Sequence, residues 1–208
     1  ILRNAEAAAL FMQDPSPDLA EISAILEDIR KDDQRAGAVI DRMRALLRRK
    51  GVEASPLEMD QVLGDVTALL RPDAAARHVK LELDMPADMP RVLGDRVQLQ
   101  QVLLNLILNG MDSLDGMEGT DRRIRVTVRR APSQAVEICV SDTGRGIPAD
   151  QIERIFDAFF STKPNGIGMG LSISRTIVEA HGGQLWAENG VDGGATLRFT
   201  VPIAAQGR

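Results

Sequence analysis

Apolar residues recur with a helical period along the first quarter of the chain. Residues 1–13 are rich in good helix formers, among them Ala5, Ala7, Ala8, Ala9 and Leu10. Asp14-Pro15-Ser16-Pro17 breaks that run, because proline lacks an amide donor and clashes with the preceding turn. From 18 to about 49 the pattern resumes, with Ile22, Ile29, Ala36 and Met43 seven residues apart. Leu26, Val39, Ile40, Leu46 and Leu47 fill neighbouring positions, while Glu27, Asp28, Arg30, Lys31, Asp32 and Arg35 fall elsewhere. Residues 1–53 therefore read as an antiparallel helical hairpin with one apolar stripe. Such a stripe is buried by pairing two hairpins into a four-helix bundle, or by packing on the rest of the chain; the dimer is the simpler solution.

From 54 onward the period changes. Pro56-Leu57-Glu58-Met59 predicts a short strand and 60–76 a helix. Residues 79–83 alternate apolar and polar, as a half-buried strand does. Arg91-Val92-Leu93 predicts another strand, and Asp95 can cap a long helix running to about 114. Strands follow at 124–129 and 135–141, a helix at 170–180, and two last strands at 184–187 and 195–201. Pro148 fits the first position of a further helix. Residues 54–208 thus predict an α/β layered domain with a mixed, largely antiparallel sheet and three main helices.

Composition narrows the function. The 208 residues are 44% hydrophobic and 26% charged, enough for a core. The net charge of −5 argues against non-specific nucleic-acid binding. No apolar run is long enough to cross a bilayer. The single cysteine, Cys139, excludes a disulfide framework and lies in the alternating run 136–140, where a small core residue is expected. A reducing, cytoplasmic setting is the expectation. The chain begins at Ile1 in helical sequence and reads as part of something longer.

Three polar clusters interrupt this apolar design. On the long helix, Asn105 and Asn109 stand four apart in Asn105-Leu106-Ile107-Leu108-Asn109-Gly110-Met111-Asp112, so their amides share a face. Asparagine is costly to bury without partners. The pair either faces a ligand or bonds internally, to each other or to a loop. An amide oxygen also suits Mg²⁺, which binds few protein groups and retains phosphate oxygens and water. The second cluster, Ser141-Asp142-Thr143-Gly144-Arg145-Gly146-Ile147-Pro148, follows a strand. Its glycines allow a tight turn and close approach of a planar ligand, and Asp142 can accept a hydrogen bond from an exocyclic amine such as that of adenine. The third, Gly166-Ile167-Gly168-Met169-Gly170-Leu171, precedes a helix whose N-terminal amides can face phosphate. Phe156, Phe159 and Phe160, then Ser161-Thr162-Lys163, lie just before it and predict an aromatic lid. A glycine-rich turn alone can be only a turn, and this one matches neither a Walker loop nor a dinucleotide fingerprint.

In this order, the clusters resemble the N, G1 and G2 boxes of the histidine-kinase branch of the ATPase superfamily that includes gyrase B, Hsp90 and MutL. Phe156-Asp157-Ala158-Phe159-Phe160 resembles the F box of those kinases, and Ile177-Val178-Glu179-Ala180-His181-Gly182-Gly183 the helix end after their G2 box. The start of the hairpin, Ile1-Leu2-Arg3-Asn4-Ala5-Glu6-Ala7, resembles the dimerisation helices of oxygen-sensing and nitrogen-regulation kinases. The resemblance implies a Bergerat ATP-binding fold over 54–208, a dimerisation hairpin over 1–53, and ATP with Mg²⁺ as cofactors.

The roles implied are these. Asn109 would hold Mg²⁺, with Asn105 near the phosphates or the reacting histidine. Asp142 would select adenine, and Gly144 and Gly146 would leave room for it. Thr162 and Lys163 would meet the terminal phosphate, the lysine as a point charge. Gly166, Gly168 and Gly170 would let the lid close on the phosphates. Asp112, Ile147, Phe160, Met169 and Leu171 complete the implied nucleotide site. Gly110 stands where alanine is commoner, and glycine can loosen a helix interior by up to about 1 kcal/mol.

The implied activity is transfer of the ATP γ-phosphate to a histidine and then to a response-regulator aspartate. Its partners would be a second hairpin, a receiver domain and an upstream sensor domain, with no nucleic acid. The parent protein could be membrane-anchored. One departure matters: the acceptor histidine is expected roughly two to three helical turns before Ile1. His181 precedes Gly182-Gly183 at a helix end, where it can meet the last carbonyls, and His78 lies between a helix and a strand. Neither replaces the acceptor. A nucleotide-binding pseudokinase, or another superfamily member such as a serine kinase or ATP-hydrolysing clamp, is the rival reading.

Overall fold

The computed structural model describes residues 6, 8, 10–12, 18–19, 21–23, 25–27 and 29, then 54–117, 121–163, 166–190 and 193–205. The chain divides into two compact units, Ile1–Arg49 and Lys50–Arg208.

In the first unit the described residues are helical apart from Met12 and Asp18. Ala8 and Ile22 are buried, whereas Leu10, Met12, Leu19 and Leu26 are exposed. Of the expected stripe, Ile22 is therefore inside and Leu26 outside. Ala36, Val39, Ile40, Met43, Leu46 and Leu47, and the break at 14–17, lie outside the described residues.

The second unit is an α/β sandwich. Strand β1 (Ser55–Leu57) pairs antiparallel with β3 (Val92–Gly94) in a two-stranded sheet. Helix α1 (Met59–Ala76) separates β1 from β2 (Lys80–Asp84), and helix α2 (Arg96–Ser113) follows β3. Then come β4 (Arg123–Ala131), β5 (Ala135–Asp142), a short 3-10 turn (Arg154–Phe156), α3 (Gly170–Ala180), β6 (Leu185–Asn189) and β7 (Ala195–Pro202). The main sheet has the order β2-β4-β5-β7-β6. Only β2 and β4 run parallel; the other pairs are antiparallel.

The sheet is two-faced because its strands alternate. Val126, Val140 and Leu197 lie side by side in register and are buried, as are Val128, Ile138 and Phe199. This face takes the helices, whose own apolar stripes supply Leu63 and Val66 from α1, Leu103, Leu106 and Ile107 from α2, and Ile173 and Val178 from α3. The opposite face is ionic: Arg125 pairs with Glu82, Arg129 with Asp84, and Arg198 with Glu137 and Glu188.

Two expectations change. Met59 opens α1 and is buried, rather than ending a strand, because it supplies the first apolar contact of the helix. Pro148 starts no α-helix: Gln151 N–H bonds Pro148 C=O in a turn, and only the 3-10 turn follows. Cys139 is buried as expected, on the ionic face in register with Thr127 and Arg198. Its thiol lies 3.0 Å from Arg198 Nη1, and burial pushes its pKa up. That environment disfavours the reactive thiolate.

The start of α2 is fixed by its own cap. Asp95 accepts from the amides of Val97 (2.9 Å) and Gln98 (3.2 Å), satisfying two donors the helix cannot. Its own amide donates to His181 Nε2 (2.9 Å), so the imidazole joins the end of α3 to the start of α2. The other ring nitrogen, Nδ1, lies 2.7 Å from Ile177 C=O and carries the proton, since Nε2 is an acceptor. His181 is thus buried and bonded on both sides, while His78 is exposed. No described helix is long and apolar enough to cross a membrane. Asp95→Ala should lower the unfolding free energy by about 1 kcal/mol in urea titration, and Asp95→Asn should restore most of it.

Candidate functional site

The polar face of α2 collects the site. Its apolar side is fully buried through Leu99, Leu103, Leu106 and Ile107, which turns Asn105, Asn109, Asp112 and Ser113 toward the lid and β5. Gly110 packs under Ile124: an added Cβ would stand 2.7 Å from Ile124 Cδ1, a mobile methyl end. Glycine therefore also lets Ile124 pack closely against α2.

At one end of this face lies Asp142, the last residue of β5. Its Oδ1 accepts from Gly144 N–H (2.8 Å), Ser113 Oγ (3.0 Å) and Ala195 N–H (3.3 Å). Among the described residues, every hydrogen bond to this carboxylate falls on Oδ1, which leaves Oδ2 for an incoming donor. Burial pushes the Asp142 carboxyl above its ordinary value, against the opposing pull of those donors. A half-buried carboxylate with one uncommitted oxygen can read an amine.

The following loop is held from outside. Gly146 has φ of 74°, and a Cβ there would stand 3.0 Å from Asn189 Oδ1 and 3.2 Å from Gly194 C=O. Glycine is required both for the left-handed backbone and for that approach. Ile147 N–H donates to Asn189 Oδ1, and Asn189 Nδ2 donates to Ile147 C=O, each at 2.7 Å.

Lys163 meets the same last turn of α2. Its ammonium donates to Asn109 Oδ1 (3.3 Å) and pairs with Asp112 Oδ2. Asp112 is held in turn through Oδ1 by Arg77 Nη1 (2.7 Å), and Arg77 Nε bonds Asp73 (3.1 Å). The Asp112 hydrogen bond is the largest cause of the rise in the Arg77 pKa. Asn109 and Asp112 thus aim two hard oxygens at one cation, an arrangement that also fits Mg²⁺ sharing its shell with phosphate. Asn105 differs: its Nδ2 donates to Ser174 Oγ (2.9 Å), tying α2 to α3.

The lid is less uniform than its three phenylalanines imply. Phe156 is buried under Arg175 of α3, whose guanidinium carbon lies 4.2 Å from the ring centre. Phe160 is half-buried beneath Arg154 at 5.0 Å. Phe159 points outward, 73% exposed, with φ of 68°. A Cβ on Gly168 would fall 2.4 Å from Phe160 C=O, so this glycine lets the lid's return strand lie against the phenylalanine backbone. Thr162 and Gly166 are exposed in the lid; Met169 is buried and, with Gly170 and Leu171, begins α3, whose first turn has no side-chain cap.

Ser113, Arg77, Ser174 and Asn189 were not singled out in the sequence. Ser113 was findable, four residues after Asn109 on the same helical face. The other three act across long separations and carry no local signal.

A sandwich of this topology, with a polar helix face between a strand-end carboxylate and a glycine-bounded lid, defines a nucleotide-binding class. The chain belongs to the histidine kinase-, DNA gyrase B- and HSP90-like ATPase family, whose model matches residues 94–205. Within that family its relatives are sensor histidine kinases. It is 34% identical over 205 residues to the sensor histidine kinase TmoS of Ectopseudomonas mendocina, covering 98% of this chain and 21% of that protein. It is 38% identical over 188 residues to the sensor protein FixL of Bradyrhizobium diazoefficiens, covering 90% and 37%. The chain therefore spans between about a fifth and two-fifths of these relatives. Among solved structures, the nucleotide-free catalytic domain of histidine kinase ThkA matches with a TM-score of 0.64 at 30% identity, over 73% of this chain and 96% of that one. Full-length ShkA in complex with AMPPNP shares the fold, with a TM-score of 0.77 at 24% identity, over 97% and 42%.

The raised pKa of Asp142 has a measurable consequence. Between the ordinary carboxylate pKa and the raised one, the folded state binds the proton more tightly. Stability contributed by that proton is complete below the ordinary value and is lost as pH rises through the raised value. Asp142→Asn removes this loss, so the variant should melt higher than the parent at pH 7 and converge with it in acid. Melting curves across pH 4–8 check this, and parallel curves for the two proteins would refute it.

Proposed function

We propose that the chain is the dimerisation and catalytic portion of a sensor histidine kinase that transfers the γ-phosphate of Mg²⁺-ATP to a histidine, from which a response-regulator aspartate receives it. One observation carries the reading. The adjacent residues Asp112 and Ser113 hold, respectively, the lid lysine and the strand-end aspartate. A single helical turn thereby sets the phosphate end and the base end of one ligand.

In this reading Asp142 Oδ2 accepts from the exocyclic amine of adenine, and the loop carrying Gly144, Gly146 and Ile147 forms the adjacent wall. Met169, Gly170 and Leu171 offer the first amides of α3 to the phosphates. Phe160 backs the lid, and Gly166 and Gly168 let it fold over the triphosphate. Lys163 exchanges Asp112 for the γ-phosphate, where its point charge balances charge developing on the transferring group. Asn109 would hold Mg²⁺, which supplies further neutralisation of the phosphate oxygens. Asn105, anchored to Ser174, borders the reacting phosphate from α2. A neutral imidazole nitrogen attacks phosphorus in line; the N–P bond forms as the bond to the β,γ-bridging oxygen breaks, and ADP leaves.

The helical unit supports a dimer. Leu10, Met12, Leu19 and Leu26 are exposed beside the buried Ala8 and Ile22, and a second hairpin would cover such side chains. A receiver domain and an upstream sensor domain complete the proposed partners, with the catalytic portion in the cytoplasm.

The decisive experiment extends the chain upstream through the expected acceptor histidine and supplies γ-labelled Mg²⁺-ATP. Acid-labile, alkali-stable label on the extended protein is expected, with at least a hundredfold loss in Asn109→Ala. An extended protein that binds ATP but takes no label would overturn the kinase reading in favour of a pseudokinase. Lys163→Ala should weaken ATP binding about tenfold while leaving ADP affinity nearly unchanged, as calorimetry can show.

A further inference from the structure

We propose that Asn189 is a positioning residue that sets the base-side wall of the nucleotide site by clamping the backbone of Ile147. The inference rests on the nucleotide reading of that site. The loop between Asp142 and Ile147 leaves the sheet at the end of β5, and its far end is neither strand nor helix. Its backbone groups need partners from elsewhere. The Asn189 amide supplies both for Ile147: Oδ1 takes the N–H and Nδ2 meets the C=O, at 2.7 Å each. Only this amide orientation satisfies both bonds, because a flipped amide would set oxygen against oxygen.

The other end of the loop is held by the residue facing Asn189. In the β6–β7 ladder Asn189 is in register with Ala195, and Ala195 N–H donates to Asp142 Oδ1. One cross-strand pair therefore grips both limits of the loop, Asp142 by a main-chain donor and Ile147 by a side-chain amide. The hairpin that carries this pair is itself closed by Gly190 N–H on Gly194 C=O at 3.0 Å. Gly146 is left-handed beneath the clamp, where any side chain would meet the Asn189 oxygen. The spacing between Asp142 Oδ2 and the Ile147 backbone is thus set by β6 and β7. A purine is planar and rigid, so that spacing decides how well it is held.

The test measures ADP, ATP and GDP affinity of this chain and of its Asn189→Ala and Asn189→Asp variants by calorimetry, with amide hydrogen exchange at Ile147. Aspartate keeps the size of asparagine and the acceptor for Ile147 N–H, but at neutral pH it has no donor for Ile147 C=O. Both variants should lose about tenfold in ADP and ATP affinity alike, keeping the ATP-to-ADP ratio of the parent. The preference for ADP over GDP should narrow, and exchange protection at Ile147 should fall. Asn189→Asp binding ADP as tightly as the parent would overturn the clamp, as would a loss confined to ATP. A parent chain that binds neither ADP nor ATP at millimolar concentration would overturn the nucleotide reading itself, and this inference with it.

Discussion

A carboxylate taken partly out of water needs its charge answered, and Asp142 is answered on one oxygen only. Two main-chain amides and a serine hydroxyl converge on Oδ1, from the loop after β5, the start of β7 and the last residue of α2. Moving any of these elements would remove one hydrogen bond to a half-buried carboxylate, a loss of about 1.5–3 kcal/mol. The sheet, the helix face and the loop are therefore mutually located by one side chain. Burial nonetheless raises the carboxyl's pKa, and a further donor on Oδ2 would oppose that rise.

Much of this architecture was legible because it is local. The boundaries 170–180 match α3, where a glycine opens the helix and His181-Gly182-Gly183 closes it. Asp95 as a cap needed only a short polar residue before a long apolar period. Alternation revealed β4, β5 and β7, though pairing extends each beyond its apolar stretch. The parallel pairing of β2 with β4 was not legible, since register is chosen by tertiary packing. Pro148 misled because a residue compatible with a helix start does not supply the helix. Cys139 is buried as its alternating run implied, though which face it would join was not legible, and Arg198 covers it there.

At the site, residue types were legible and their internal partners were not. Asn105 and Asn109 share a helical face, yet one is tied to Ser174 and the other faces Lys163. Nothing in their spacing separates those fates. The lid shows the same limit. Three phenylalanines in five positions read as one aromatic cap, whereas Phe156 anchors, Phe160 half-covers and Phe159 is turned out by a left-handed backbone. That conformation is unusual for a bulky residue, and Gly168 passes against the same stretch of backbone.

The pairing of Lys163 with Asp112 also decides what this part of the surface presents to solution. Cation and anion cancel at short range, so the lid projects little net field beyond a Debye length of about 8 Å. A polyanion at this surface would have to displace Asp112 from the lysine, with little long-range attraction to draw it in. Discrimination would then fall to fit after contact, and simple phosphate-bearing solutes would gain little from the lysine alone.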